Sequence, residues 1–297
     1  MKKHLIAAAV AAAFAVPAMA QVTVYGVADL GLGSADGSSQ MISNGKMNNG
    51  NSRWGLRGTE DLGGGLKASF NFEAGINAET GATDAAYFQR NAFLALDGGF
   101  GQIRLGRGLS AGWAASGGTY DITGSANYSV IGNLFGWVGG VRNNSELRYT
   151  TPSLNGFSAA VGVLQKDDNN GSSKTDANII YRGGPIAIGA AWSKPQGSQQ
   201  STQIGASYNF GPAKVAVSYH DPAGAAKGYT LGLSAPIGAT TISFDMGKET
   251  GLTDSTDFVI EAKYALSKRT FVYGAGYRDG SRTTDKNSYN VGVRHNF

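Results

Sequence analysis

"SRWGLRGTEDLGGGLKASF", residues 52–70, alternates charged and apolar residues on both sides of a turn-like segment, TEDLGGG. This period of two predicts a β-hairpin, because successive side chains of a strand point to opposite faces. In a soluble hairpin Trp54, Leu56 and Phe70 would be buried and Arg53 would face water. In a membrane barrel the apolar face would be the outside, and the arginine would point into the interior. The rest of the sequence decides between these arrangements.

The first twenty residues, MKKHLIAAAVAAAFAVPAMA, predict a Sec-type signal peptide. Lys2 and Lys3 form a basic n-region, an apolar run follows, and residues 18–20 have the A-x-A form of a cleavage site. The alternative is a transmembrane anchor, for which the apolar run is too short. We therefore expect residues 1–20 to be removed and residues 21–297 to form a single domain.

The composition excludes disulfide bonds and membrane-spanning helices in the mature chain and does not suggest a nucleic-acid partner. Removing the two lysines of the signal peptide lowers the formal net charge from +4 to +2, which does not suggest a nucleic-acid partner. The chain has no cysteine and therefore no disulfides, although it is predicted to be exported. The mature chain has no run of about 18 apolar residues, so any membrane crossing must be made by strands.

Period-two alternation continues to the C-terminus. In residues 201–210, STQIGASYNF, the apolar Ile204, Ala206, Tyr208 and Phe210 share one parity. Strict alternation over this length indicates strands. Sixteen such segments are predicted: 22–32, 51–59, 65–75, 87–96, 100–107, 144–151, 156–164, 174–182, 185–193, 201–210, 212–220, 228–235, 239–247, 256–265, 269–278 and 287–297.

The connections alternate between short turns and mostly longer loops, as in an outer-membrane barrel with short periplasmic turns and long extracellular loops. A β-sandwich or β-helix is the soluble alternative, and the aromatic residues argue against it. Outward-parity aromatics form one group near the short turns (Tyr149, Phe157, Tyr181, Phe210 and Tyr264) and another near the long loops (Trp54, Trp192 and Tyr229). Two such girdles fit the two lipid–water interfaces.

The predicted fold is therefore an all-β, transmembrane antiparallel barrel of 16 strands. The apolar face of residues 52–70 then faces lipid, and Arg53 and Arg57 point inward. An arginine on the lipid face near the midplane would cost about 2–4 kcal/mol. A barrel of this size is too wide for side chains to fill, so we expect an aqueous channel.

Five stretches carry a family resemblance: QVTVYGVADLGL at 21–32, SRWGLRGTEDLGGGLKASFNFE at 52–73, FQRNAFLALDGGFGQIRLGR at 88–107, NNSELRYTTPSLNGFS at 143–158 and YNVGVRHNF at 289–297. In these the sequence resembles the general diffusion porins of Gram-negative bacteria, in their neisserial and β-proteobacterial branch. The resemblance implies a homotrimer in the outer membrane, in contact with lipids and lipopolysaccharide. It also implies passive diffusion of small hydrophilic solutes and ions, and a third extracellular loop folded into the lumen.

The predicted third loop, residues 108–143, is the longest connection and has a single acid, Asp121. A loop exposed outside the cell would not need Trp113, Phe135 and Trp137, whereas a loop packed on the inner wall would. The alternative is a loop that covers a trimer interface.

Porins of this branch carry an arginine cluster opposite the infolded loop, and by motif position Arg53, Arg90 and Arg142 are the candidates here. The alternation of the strands independently places Arg53 on the lumen side. It also places Arg104 and Arg148 there, near mid-strand. Arg90 shares the parity of Ala92, Leu94 and Leu96, which would direct it toward lipid. Either Asn91, Phe93 and Ala95 share the outward face, or a bulge shifts the register.

The acids expected to offset these arginines are mainly Asp121 and Glu146, which predicts an anion-preferring pore. Lumen charges expected to lie farther away, and to matter less, are Lys67, Glu73, Glu261 and Lys263. For each candidate arginine the alternative is an ordinary lumen charge paired with a carboxylate.

The last residue, Phe297, resembles the signal that the barrel assembly machinery recognises. No cofactor, metal or enzymatic motif is predicted, and His220 beside Asp221 is the only pair that could suggest a catalytic surface site. The alternatives to a diffusion pore are a substrate-specific channel, which would need a row of aromatics or a dedicated site in the lumen, and a non-conducting adhesin barrel.

Overall fold

The computed structural model of the chain describes residues 21–35, 37–45, 47–125, 127–224 and 226–297. The predicted signal peptide, residues 1–20, lies outside the described residues. In the described part, all strands belong to one antiparallel sheet.

The strands are β1 Gln21–Ser34, β2 Ser39–Ile42, β3 Arg53–Gly63, β4 Leu66–Gly75, β5 Asn91–Gly98, β6 Gly101–Leu109, β7 Arg142–Thr150, β8 Phe157–Leu164, β9 Lys174–Gly183, β10 Ile186–Pro195, β11 Ser201–Asn209, β12 Lys214–Asp221, β13 Gly228–Ile237, β14 Thr240–Glu249, β15 Thr256–Ala265, β16 Thr270–Arg278 and β17 Asn287–Asn296. The helices are α1 Ala111–Gly117, α2 Val130–Leu134 and a 3₁₀ turn Lys166–Asp168.

The sheet closes into a barrel because β1 pairs with β17 on one edge and with β3 on the other. At the seam, the Gly26 N–H donates to the Phe297 carbonyl at 3.0 Å and the Phe297 N–H donates to the Gly26 carbonyl at 3.1 Å. The wall has sixteen strands, as predicted. The short β2 is additional: it pairs with residues 31–34 of β1, on the edge where β3 pairs with residues 21–27.

Turns at one end of the barrel are short and most loops at the other end are longer, as the sequence predicts. In the β3–β4 turn Gly63, Gly64 and Gly65 have φ angles of 84°, 61° and 82°. Only glycine adopts three successive left-handed conformations without steric cost, which explains the GGG in the opening hairpin.

The distribution of side chains is the reverse of that in a soluble protein. On the outer wall Leu94 is 57% exposed and Val291 is 67% exposed, whereas Asp29 and Glu146 are fully buried inside. In the opening hairpin Leu56 pairs with Phe72, which is also exposed on the outside. The prediction that the apolar face is the outer surface is confirmed.

The third loop, described over residues 110–125 and 127–141, folds into the barrel and contains both α-helices. Each helix begins with a serine cap: Ser110 Oγ accepts from the Trp113 N–H at 3.1 Å and Ser129 Oγ accepts from the Gly132 N–H at 3.4 Å. Helix α1 packs on β9 and β10, and α2 packs on β14 and β15. Among the described helices, none is long and apolar enough to cross a membrane.

The inner wall is shaped to accept this loop. A Cβ at Gly189 would lie 2.4 Å from the Ala115 carbonyl oxygen, so only glycine lets α1 approach β10 this closely. Gln203 of β11 donates through Nε2 to the Gly112 carbonyl at 2.6 Å. The bond from Gln203 joins a carbonyl of α1 to the barrel wall.

Residues 43–45 and 47–52 of the first long loop also turn inward, an arrangement that the alternation of the sequence does not predict. Met47 and Asn48 are almost completely buried, and Met47 packs against Tyr128 of the third loop. Asn127 donates through Nδ2 to the Asn48 carbonyl at 3.0 Å and to Asn48 Oδ1 at 2.8 Å. The two loops therefore pack together inside the lumen.

Candidate functional site: an arginine-lined constriction

A cavity of about 420 Å³ lies between the third loop and the barrel wall. We call it the constriction cavity. Its lining includes Arg53, Glu73, Arg90, Arg142 and Arg294 on the wall, Asn49 and Asn51 of the first loop, and Trp113, Asn127 and Trp137 of the third loop.

The four arginines come from different parts of the barrel. Arg53 and Arg142 are the first residues of β3 and β7, Arg90 immediately precedes β5, and Arg294 lies in β17. Because these strands occupy one continuous arc of the wall, their inward side chains meet on one side of the cavity.

Glu73 of β4 is the carboxylate within this cluster. It accepts a hydrogen bond from Arg90 Nε at 2.7 Å and another from the Tyr25 hydroxyl at 2.9 Å. Arg90 contacts Oε1 of this carboxylate, whereas Arg53 Nε lies 3.6 Å from Oε2, the oxygen that also accepts from Tyr25. One carboxylate thus bridges two guanidinium groups and holds both in place.

The other two arginines are held by neutral oxygens. Arg142 Nε donates to the Arg90 carbonyl at 2.6 Å, and Arg294 Nη1 donates to Asn49 Oδ1 at 2.7 Å. Neither guanidinium has a carboxylate within 4.0 Å in the described part of the chain. Positive charge therefore exceeds negative charge along the cavity wall.

The structure brings together the three arginines chosen by motif position, Arg53, Arg90 and Arg142. Arg90 faces the lumen without any bulge between β4 and β5. Alternation with Leu94 would place Arg90 on the outer face only if both residues belonged to one strand. Strand β5 begins at Asn91, so Arg90 lies just outside it. The predicted segment 87–96 began too early.

The remaining predicted residues of this part of the barrel, Arg104, Arg148 and Glu146, point inward but do not line the constriction cavity. They form a separate buried cluster, in which the Arg104 guanidinium contacts the Glu146 carboxylate and Arg148 Nη1 lies 4.0 Å from it. Both arginines also donate to the Leu109 carbonyl, where the third loop begins. The loop covers these charges, so they anchor its base.

Asp121 is buried between the loop and the opposite wall and does not line the cavity. The Thr123 hydroxyl donates to its carboxylate at 3.3 Å, and Lys263 Nζ donates to the Thr123 carbonyl at 2.8 Å. Burial raises the pKa of the Asp121 carboxyl to about 6.

Two residues of the cluster were missed as site residues. Glu73 was expected to lie away from the constriction, and this expectation is wrong, because the register of β4 with β5 places it opposite Asn91. Arg294 has lumen parity in the last strand, and the closure of the barrel between β17 and β1 brings it to the cluster.

The pair considered for an enzyme does not form a catalytic arrangement. His220 is buried under the third loop, where its ring stacks on Phe135 with centroids 4.9 Å apart and an interplanar angle of 5°. Asp221 is exposed on the opposite face of β12.

The profile of the family described as Gram-negative porin matches residues 7–287 of the chain. The chain belongs to this family. The porin is similar to outer membrane porin protein 32 of Delftia acidovorans, with 35% identity over 199 residues, which are 63% of this chain and 56% of that protein. It is also similar to an outer membrane porin protein of Bordetella pertussis, with 34% identity over 205 residues, 62% of this chain and 52% of that protein.

These alignments span about half the length of the curated relatives. Among solved structures, the porin resembles the anion-selective porin from Comamonas acidovorans, with a TM-score of 0.76 and 26% identity, covering 94% of this chain and all of the other. The porin also resembles the loop-deletion mutant of OmpT from Vibrio cholerae, with a TM-score of 0.73 and 17% identity. The superposition covers 94% of this chain and 99% of the other and supports the fold alone. The porin is an outer-membrane protein of the Gram-negative type.

Proposed function

We propose that the chain forms a water-filled channel for passive diffusion of small hydrophilic solutes and ions, with a preference for anions. The observation that carries the proposal is the charge of the constriction cavity, where four arginines face a single glutamate among the residues that line it in the described structure.

A narrow aqueous passage between low-dielectric walls concentrates the field of the charges that line it. Arginine-rich linings favour anions because they replace part of the hydration shell of an anion and repel cations. Arg142 and Arg294, which have no carboxylate partner within 4.0 Å in the described structure, contribute most of this excess.

The comparisons support the same function. The solved porin that is named anion-selective shares 26% identity with this chain and is covered over its whole length. The curated relatives are named as outer membrane porins. The cavity of about 420 Å³ beside the infolded loop favours a channel over the plugged lumen that a non-conducting adhesin barrel would need.

We further propose that the active form is a homotrimer in contact with outer-membrane lipids and lipopolysaccharide, exported with removal of residues 1–20. Phe297 is half exposed at the barrel seam, where it suits recognition of the last strand by the barrel assembly machinery.

The experiment is a planar bilayer recording of the purified protein under a KCl gradient. We expect conductance steps in threes and a reversal potential that shows preference for chloride. A cation preference would overturn the role of the arginines, and folded barrels without conductance would support the adhesin alternative.

A further inference from the structure

Two aromatic rings lie on the loop side of the constriction cavity. Trp113 and Trp137 both line it, with ring centroids 6.3 Å apart and an interplanar angle of 53°. The chain has four tryptophans, and the other two, Trp54 and Trp192, have the parity of the outer wall. Girdle positions account for the outer pair. The inner pair belongs to the packed third loop, where Trp137 contacts a buried apolar cluster, and both inner rings also line the cavity.

The loop makes specific room for both rings. A Cβ at Gly132 would lie 2.9 Å from the Trp137 indole, and a Cβ at Gly117 would lie 3.3 Å from the Trp113 ring. The Trp113 backbone is fixed in the first turn of α1 by the Ser110 cap. The rings are thus held in place before any solute arrives.

The same cavity offers cationic groups with unused donors. Arg142 uses Nε for the Arg90 carbonyl, and no carboxylate lies within 4.0 Å of its guanidinium in the described residues. A guanidinium with free N–H groups binds a carboxylate through two parallel hydrogen bonds. The cavity therefore presents a carboxylate-binding group and aromatic faces together.

Resting on the proposed function, we propose that the constriction preferentially holds aromatic carboxylates in transit. The carboxylate is bound by the arginine wall around Arg142, and the ring of the solute packs against Trp113 and Trp137. Aromatic rings pair favourably in tilted or offset geometry. A cavity of about 420 Å³ is of the size that holds a small organic ligand.

The test measures inhibition of the chloride current by benzoate and by cyclohexanecarboxylate at pH 7, where both are anions. The two have similar size and charge but only benzoate has a π face. We expect benzoate to reduce the current at a concentration roughly 2- to 10-fold lower than cyclohexanecarboxylate.

Variants locate the effect. Trp113→Leu combined with Trp137→Leu is expected to abolish the difference between the two acids, while Trp137→Phe retains most of it. Trp192→Leu, on the outer wall, is the matched control and should leave the difference unchanged. Arg142→Gln is expected to weaken inhibition by both acids together, because it removes the carboxylate partner.

A channel that conducts and prefers chloride but responds equally to both acids would overturn this inference and leave the proposed function intact. Retention of the benzoate preference in the double leucine variant would overturn it as well. A protein that does not conduct would overturn the proposed function itself, and this inference with it.

Discussion

Arg90 Nε and Glu73 Oε1 are joined by an ion pair of 2.7 Å, and Glu73 also lies 3.6 Å from Arg53. This carboxylate lowers the positive charge of the constriction cavity and at the same time holds two arginines in position. Its replacement therefore tests both the electrostatics and the rigidity of the site.

Glu73→Gln is expected to increase the chloride-to-potassium permeability ratio. A unit charge at about 4 Å from a passing ion changes the interaction free energy by about 1 kcal/mol in bulk water, which is roughly fivefold in the permeability ratio. The measurement is the reversal potential under a KCl gradient. Glu60→Gln is the control, because Glu60 is exposed at the short-turn end of β3. An unchanged ratio would show that ions do not pass beside Glu73.

Asn127→Ala removes the hydrogen bonds from Asn127 Nδ2 to the first loop, including those of 2.8 Å to Asn48 Oδ1 and Asn51 Oδ1, and leaves the bond from Asn49 Nδ2 to the Tyr128 hydroxyl. Each bond contributes about 1 kcal/mol, so brief closures should become roughly tenfold more frequent. Single-channel recording measures the closures. Asn169→Ala is the control, since Asn169 bonds within its own outer loop. Unaltered gating would show that the hydrogen bonds of Asn127 do not restrain the third loop.

Glu146→Gln leaves Arg104 and Arg148 buried without their carboxylate. Breaking one side of a buried ion pair costs about 3–5 kcal/mol, so the midpoint of heat unfolding should fall. The loss of secondary structure on heating is the measurement. Arg104→Met with Glu146→Leu should be less destabilised than the single variant, and the reverse order would contradict a buried pair.

Acidification should make the pore more anion-selective. The pKa of Asp121 is about 6 because the carboxyl is buried, so the group loses its negative charge as the pH falls from 7 to 5. The groups that interact with it or with its neighbours are Lys214, Asp245, Glu261 and Lys263. Reversal potentials at pH 7 and pH 5 measure the effect, which should be smaller in Asp121→Asn.

The same shift has a consequence for loop docking. Because the folded pKa lies above the ordinary value of 3.8, the ionised carboxylate costs free energy in the docked loop above pH 6. That cost is relieved as the pH falls through 6. Brief closures should therefore become rarer at pH 5, and more frequent closures at low pH would contradict this sign.

The sequence by itself determined the strands, the outer face and the infolded loop. Period two is a local property, so alternation in residues 52–70 puts Leu56 and Arg53 on opposite faces of the sheet. The sixteen alternating segments and the two aromatic girdles of the whole sequence then make the face of Leu56 the outer one. The apolar residues of the third loop predict its burial because they require a wall to pack against. Motif position was sufficient to choose Arg142.

Only the tertiary structure decided which inward charges meet at the cavity. Parity gives a side chain its face but not its neighbours, which depend on strand register and on the path of the loops. The alternation pattern directs Arg104 and Glu146 toward the lumen, yet the third loop covers them. Glu73 lines the cavity because its register with β5 places it opposite Asn91. The contact of Asn127 with Asn48 joins residues 79 positions apart, beyond the reach of any local pattern.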